Sequence, residues 1–129
     1  MSYGRAFTAV AEADPDRPAV TCDGTTTTRS ELEAMANRTA RAIAEMGVTK
    51  GSYVTIGLPN SAAFYAAVLA TWKLGAVPQP VSPRLPVRER EAIVELADPA
   101  VVFGAEPDAH PGHSCLPVGW EPDGSIDAS

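Results

Sequence analysis

Residues 71–86 have the sequence TWKLGAVPQPVSPRLP, in which the end of an apolar helix leads into a strand that contains prolines. Proline has no amide hydrogen, so it cannot donate to a sheet ladder. Pro78 and Pro80 are two residues apart, which places their nitrogens on the same edge of a strand. The pattern therefore predicts an edge strand from about Ala76 to Ser82, whose free side needs no donor at these two positions.

The segments around this strand alternate between strand-like and helix-like patterns. Residues 52–58 are an apolar run typical of a strand, and residues 62–74 form a helix that is apolar on nearly every side. A second helix at about 87–97 and a short apolar strand at 100–104 follow. Strand–helix–strand–helix–strand order with short connections predicts a parallel sheet with helices on its faces.

The residues before this unit predict a short helix, a hairpin and a long helix. The helix at about 5–13 ends before Pro15, and the strands 18–23 and 25–28 flank the hairpin signal Asp23-Gly24. The long helix runs from about residue 29 to Gly47, with apolar residues at helical spacing. We therefore predict an α/β fold with three layers and a mostly parallel sheet, preceded by a small β-hairpin and a helix.

Two helix starts each have two possible caps. The long helix fits a capping box either from Thr28 to Glu31 or from Ser30 to Glu33, and the apolar helix can be capped by Asn60 or Ser61. The sequence does not choose between the members of either pair.

Charge divides the chain into a near-neutral body and an acidic C-terminal segment. The net charge is −6, and residues 105–129 hold five acidic residues and no Lys or Arg. This distribution argues against nucleic acid as a partner. We predict a subdomain over residues 1–104 and a Pro/Gly-rich acidic tail over residues 105–129, partly disordered or extended, with a strand-sized segment at about 116–120.

Two cysteines are too few for a disulfide framework, and the first residues do not have the pattern of a signal peptide. The longest apolar run, residues 62–74, is too short to span a bilayer. We expect a cytoplasmic protein with reduced thiols and no membrane span.

Four segments resemble the N-terminal part of the adenylate-forming enzymes, which are acyl-CoA synthetases, luciferases and peptide-synthetase adenylation domains. They are DPDRPAVTCDGTTTT (14–28), TRSELEAMANRTARAIAEMGVTKGSYVTI (28–56), LPNSAAFYAAVLATWKLGAVPQPVSPRL (58–85) and PVREREAIVELADPAVVFG (86–104). Their order and spacing carry the resemblance, which covers about residues 5–104. Ser-Pro-Arg-Leu at 82–85 is similar to the acyl-CoA ligase branch, and KLGAVPQPVSPRLP to bile-acid or steroid-acid CoA ligases.

The resemblance implies an N-terminal fragment of an ATP-dependent acid–CoA ligase, which converts an acid and ATP to an acyl-adenylate and then to an acyl-CoA. ATP, magnesium and coenzyme A are implied for the full-length parent, and the remainder of the ligase is the implied partner. This chain is much shorter than such enzymes, so we expect a truncation, a cleavage product or a remnant. The alternative is a stand-alone non-enzymatic α/β module that binds a ligand or partner. A receiver- or flavodoxin-like protein is disfavoured, because neither an acidic cluster nor a glycine-rich loop is present.

We predict no catalytic, cofactor-binding or metal-ligating residue in this chain and expect it to be inactive alone. A phosphate loop needs clustered glycines so that successive amides can converge on oxygen. The DGTTTT run has a single glycine and fits a hairpin better. The cover missing from such a fragment predicts self-association through an exposed apolar face.

Several side chains have both a functional and a structural interpretation. His110, His113 and Cys115 could hold a soft metal ion, but a structural zinc site needs four ligands, so a polar loop is favoured. Cys22 is expected to be a buried, inert thiol. Arg84 could bind a carboxylate or phosphate, although a solvated arginine is favoured.

The remaining candidates are apolar or lie on a helix surface. Phe64, Tyr65 and Trp72 could line an acyl pocket, although core packing is favoured. The charge run at 88–91 is expected to be a solvated helix face. Trp120 is expected to anchor the tail by packing back on the body.

Overall fold

The computed structural model describes residues 3–128 of the chain. Within that range the helices are α1 (Tyr3–Ala13), α2 (Arg29–Glu45), α3 (Ala62–Lys73) and α4 (Val87–Ala97). The strands are β1 (Pro18–Cys22), β2 (Thr25–Thr28), β3 (Tyr53–Ile56), β4 (Val77–Pro80), β5 (Val101–Phe103) and β6 (Ser114–Leu116). No helix within this range is long and apolar enough to cross a bilayer.

The predicted sheet and hairpin are both confirmed. The main sheet has the order β4-β3-β5-β6, and its neighbouring strands are parallel. β1 and β2 pair antiparallel as a separate ribbon. Asp23 and Gly24 in the turn have φ values of 51° and 77°. Positive φ at both central residues is the requirement of a type I′ hairpin turn, which Asp-Gly satisfies.

The proline-containing strand β4 lies at an edge of the described sheet, as its sequence predicts. Val77 donates its amide to Ser52 O at 2.8 Å and Val81 donates to Ile56 O at 2.9 Å, so these residues bond toward β3. Pro78 and Pro80 occupy the alternate positions, opposite Val54 and Ile56. Their nitrogens face away from β3, because backbone groups alternate sides along a strand.

The structure selects one cap for each ambiguous helix. In α2 the Glu31 amide donates to Thr28 Oγ1 at 3.2 Å, and the Thr28 amide donates to Glu31 Oε1 at 2.9 Å, which completes a capping box. In α3 the Phe64 amide donates to Ser61 Oγ at 3.2 Å. Thr28 and Ser61 have extended backbones, as N-cap residues do.

The sheet is covered on both faces, which confirms the three layers. One face presents Val54, Ile56, Val101, Phe103 and Leu116 to a core shared with α2 and α3. The other face presents Val102 and Cys115 to Val94 of α4 and to Ala105. α2 and α3 are themselves joined by a second cluster that includes Leu32, Ala36, Ala66 and Leu69.

The segment after residue 104 contributes to the sheet. Its composition predicts a loop with a strand-sized segment at 116–120, whereas the strand is β6, which pairs with β5 along Val101–Phe103. Three residues are too few for a periodic signal, and pairing with β5 determines the strand instead. The expected anchoring by Trp120 is confirmed, since its ring packs edge-on against Phe103 at 5.9 Å between centroids.

Candidate functional site

The carboxyl edge of the parallel sheet is the first place to look for a ligand site. From β3 the chain crosses through α3 to β4 on one side, and then returns through α4 to β5 on the other side. The carboxyl ends of β3 and β5 therefore form a topological switch point. In doubly wound sheets, ligands bind in the crevice at this point.

In this chain the crevice is filled by backbone. The Gly57 amide donates to Phe103 O at 2.9 Å, which continues the β3–β5 pairing past the end of the strands. Gly104 has φ +85°, and a Cβ added there would lie 2.3 Å from Gly57 O. Two glycines thus allow two chain segments to touch where other sheets leave a gap.

Arg90 closes the same edge from the side of α4. Its Nη1 donates to Gly104 O at 2.8 Å, and its Nη2 lies 3.4 Å from Ser82 O and 3.5 Å from Pro83 O. The guanidinium therefore joins the ends of β4 and β5. The interpretation of residues 88–91 as a solvated face is wrong for Arg90, which is half-buried. No local sequence signal separates it from Arg88, because the difference arises from the loops above α4.

The other candidate cation, Arg84, lies in an exposed bend between β4 and α4. Its amide donates to Ser82 Oγ at 3.2 Å, which fixes the backbone of the bend. Because its side chain is exposed, it is available to an anion from solution.

The structure separates the roles of His110, His113 and Cys115. His110 is 7% exposed, and its burial, followed by the charge of Arg90, holds its pKa below the usual value near 6.5. His113 Nδ1 lies 3.0 Å from Pro99 O, and the buried Cys115 thiol donates to His113 O at 3.6 Å. Residues 3–128 contain no group of three or more His, Cys, Asp or Glu side chains that could hold a metal ion.

An apolar hollow of about 770 Å³ lies between α1, the β1–β2 hairpin, α3 and β4. Its walls include Phe7, Val20, Phe64, Tyr65, Val68, Leu69, Trp72, Pro78 and Pro80. The three aromatic residues proposed for an acyl pocket thus all border this hollow. Phe64 and Trp72 are also partly buried against the core clusters, so they both line the hollow and pack on the core.

Polar groups are few on the walls of the apolar hollow. Asn60, Thr21 and Cys22 are at its margin, and Cys22 is a half-buried free thiol rather than a fully buried one. Pro78 and Pro80 supply the β4 wall, so the residues that block the strand edge also present ring surface to this space. Such a lining suits an apolar group and offers little to a charged one.

A polar cluster that the sequence did not indicate fixes the helices next to the hollow. Lys73 Nζ lies 2.6 Å from Glu33 Oε1 and donates to Thr8 Oγ1 at 2.8 Å, which joins α3 to α2 and α1. A Cβ on Gly4 would lie 2.9 Å from Lys73 Cγ, so α1 approaches α3 closely there. The ring of Tyr3 packs on Trp72 at 4.8 Å between centroids.

Comparison with known proteins places this fold. The model of the family "AMP-binding enzyme" matches residues 7–122. Surfactin synthase subunit 3 from Bacillus subtilis is 39% identical over 80 residues, which are 62% of this chain and 6% of that protein. The long-chain-fatty-acid–CoA ligase FadD13 from Mycobacterium tuberculosis is 34% identical over 82 residues, which are 64% of this chain and 16% of that protein.

Solved structures agree with the sequence comparison. The fused adenylation–PCP di-domain NpsA-ThdA from Klebsiella oxytoca superimposes with a TM-score of 0.80 at 25% identity, over 90% of this chain and 22% of that one. This chain therefore spans a minor part of the relatives that it matches. The family match over nearly all described residues, together with the shared fold, shows that the chain belongs to the AMP-binding, adenylate-forming enzyme family.

Proposed function

We propose that this chain is the N-terminal scaffold of an enzyme that activates a carboxylic acid. In the whole protein, the acid and ATP would form an acyl-adenylate and pyrophosphate. The acyl group would then pass to the thiol of coenzyme A with release of AMP. The family match over residues 7–122 is the observation that carries the proposal.

The closed carboxyl edge supports a scaffold role for these residues. A nucleotide at the β3–β5 switch point would need the space that Gly57, Gly104 and Arg90 occupy. The described residues therefore do not fit ATP or its magnesium ion at this point. We propose that both bind to the remainder of the ligase, and we expect no saturable ATP binding to the 129-residue chain by calorimetry.

The apolar hollow supports a second part of the proposal, in which this chain forms one wall beside the acid's apolar group. Its size and lining fit an acyl or aromatic group better than a phosphate. The same surface is available to a second copy of the chain. We propose self-association there as the alternative use, in a stand-alone binding module. A strictly monomeric mass in sedimentation at high concentration would count against it.

The activity is tested by acid-dependent ATP–pyrophosphate exchange in the full-length parent protein. We expect exchange with the cognate acid, and acyl-CoA with AMP when coenzyme A is added. Relatives include peptide synthetases as well as a CoA ligase, so a carrier-protein thiol is assayed in parallel. Absence of exchange across an acid panel would reject acid activation, whereas exchange with transfer only to the carrier would reject the coenzyme A step.

The proposed role of the apolar hollow in the acid site is tested by a substitution that fills it in the full-length parent protein. Val68→Phe adds an aromatic ring at the apolar hollow, and Val118→Phe adds the same ring at a residue that is 60% exposed. We expect Val68→Phe to raise the KM for the acid without changing the KM for ATP, while Val118→Phe changes neither. Equal behaviour of the two variants would remove the hollow from the acid site.

A further inference from the structure

A second cavity lies on the other side of α3, beneath the C-terminal residues. These residues, 117–128, form a strap that crosses α2 and the start of α3. The cavity under the strap has a volume of about 320 Å³, and it shares no lining residue with the apolar hollow. This volume is at the lower end of the range for small-molecule sites.

Many of the residues that line this cavity are apolar. Met35, Leu58, Ala66 and Phe103 line it from the body, and Trp120 lines it from the strap. The planes of Phe103 and Trp120 meet at 68°, so two aromatic rings form one corner. A flat aromatic group could pack on the indole while its edge meets the aliphatic side chains.

Thr39 introduces a polar group into this apolar wall. It is 5% exposed and lines the cavity. A hydroxyl can both donate and accept a hydrogen bond. The group is therefore placed to bond with a molecule that enters the cavity.

Arg38 gives the cavity a positive charge. Its Nε donates to Ile126 O at 3.2 Å, and no carboxylate of the described residues lies within ion-pair distance of its guanidinium. Glu121 also lines the cavity, but it is exposed to solvent. A carboxylate could take the remaining guanidinium donors, since the planar fork matches two carboxylate oxygens.

The strap is attached both to α2 and to the sheet. Besides Trp120 on Phe103, its contacts with α2 include Asn37 Nδ2 donating to Ala128 O at 2.7 Å and the Arg38 bond to Ile126 O. Both use strap carbonyls rather than strap side chains. These contacts hold the strap over α2, with Trp120 in the cavity wall.

We propose that the cavity under the strap binds a small aromatic carboxylate, whose ring packs on Trp120 while Arg38 and Thr39 hold its polar group. The site is independent of the proposed acid-activating function, because it lies apart from the apolar hollow and uses no nucleotide. Its failure would leave that function untouched.

The test is a titration of the full chain with 2-naphthoate, followed by amide and indole NMR shifts. We expect saturable shifts at Thr39, Ala66 and the Trp120 indole. The neutral 2-naphthamide should bind about tenfold more weakly, which corresponds to about 1.4 kcal/mol. Thr39→Val should lower the affinity for 2-naphthoate several-fold and leave the fold intact. Thr25→Val, on the exposed hairpin, is the control and should leave the affinity unchanged.

Two variants distinguish the effect of the Arg38 charge on binding from the effect of strap attachment. Arg38→Met removes the charge and its bond to Ile126 O, and Asn37→Ala removes the bond to Ala128 O without a change of charge. We expect Arg38→Met to remove the preference for naphthoate over naphthamide, and Asn37→Ala to retain it. Equal binding of naphthoate and naphthamide to the wild type, shifts confined to Phe64 and Trp72, or no saturable shift would each overturn the proposal.

Discussion

The carboxyl edge of the sheet and the apolar hollow are both places where an α/β fold can hold a ligand. In this chain the edge is closed, whereas the hollow is open. At the edge, Gly57 and Gly104 bring two backbones into contact, and Arg90 bonds to the carbonyls around them. At the hollow, α3 and β4 leave about 770 Å³ open. Small residues close the first space, whereas large aromatic residues border the second.

The difference shows that the presence of a doubly wound sheet does not by itself locate a site. The switch point is a consequence of strand order, but whether it is open depends on the residues that follow each strand. Here glycine at two positions removes the gap. The available space lies instead beside the edge strand, where no further strand of the described residues covers the side chains.

The largest expected effect comes from one methyl group at the closed edge. Gly104→Ala would place a Cβ 2.3 Å from Gly57 O in a backbone with φ +85°. We expect the free energy of unfolding to fall by about 3–5 kcal/mol, from backbone strain and overpacking together. Gly112→Ala is the control, with φ +88° and nothing within 4 Å, and should cost about 1–2 kcal/mol. Urea denaturation measures both, and similar losses would show that the edge is not tightly closed.

Removal of the Arg90 guanidinium should have the next largest effect on stability. Arg90→Met keeps an extended side chain but leaves Gly104 O without its 2.8 Å donor. We expect a loss of about 2 kcal/mol in unfolding free energy, as for a hydrogen bond to a charged group. Arg88→Met changes an exposed residue on the same helix and should stay within about 0.5 kcal/mol. If the two variants were equally stable, Arg90 would be an ordinary surface residue.

His110 makes the closed edge sensitive to pH. Its pKa is lowered by burial and by the charge of Arg90, with Glu91 acting in the opposite direction and His113 in the same one. As the pH falls below about 6.5, the unfolded chain takes up a proton that the folded chain resists, so stability decreases. The decrease ends once the pH is below the folded-state pKa. We expect His110→Gln to reduce the pH dependence of the unfolding free energy between about pH 7 and pH 5. His113→Gln should keep most of that dependence. Parallel curves for wild type and His110→Gln would contradict this.

The smallest effect should come from a larger change at the apolar hollow. Val68→Phe adds several carbon atoms, but they can extend into open space. We expect unfolding free energy to change by less than about 1 kcal/mol, because overpacking costs arise only where neighbours resist. Circular dichroism during urea unfolding provides the measurement. A loss comparable with that of Gly104→Ala would mean that the hollow is not available space.

Local chemistry made much of the fold predictable. The capping box at Thr28, the Asp-Gly turn and the apolar spacing of α2 and α3 each act within a few residues, so the sequence carries them directly. Prolines at alternate positions predicted the edge strand for the same reason. β6 was not predicted as a sheet strand, because its pairing with β5 depends on the assembled sheet.

The site was predictable only in part. The aromatic residues of α3 were identified as candidates for an apolar site, and they border the hollow. Neither Lys73 nor Thr39 stands out in the sequence as a site residue, and the charge pattern at 88–91 places Arg90 on a solvated helix face. Each acquires its environment from segments distant in sequence, and a helix pattern alone cannot distinguish a bonded arginine from a solvated one.

The two prolines of β4 have a consequence for encounters between molecules. Along Val77–Pro80, the odd-numbered amides are committed to β3, and the even-numbered positions have no amide hydrogen. An extended peptide approaching this flank would meet carbonyl oxygens but no N–H group. Recruitment of foreign chains into a growing ladder, the first step of cross-β aggregation, is thereby blocked on this side of the protein.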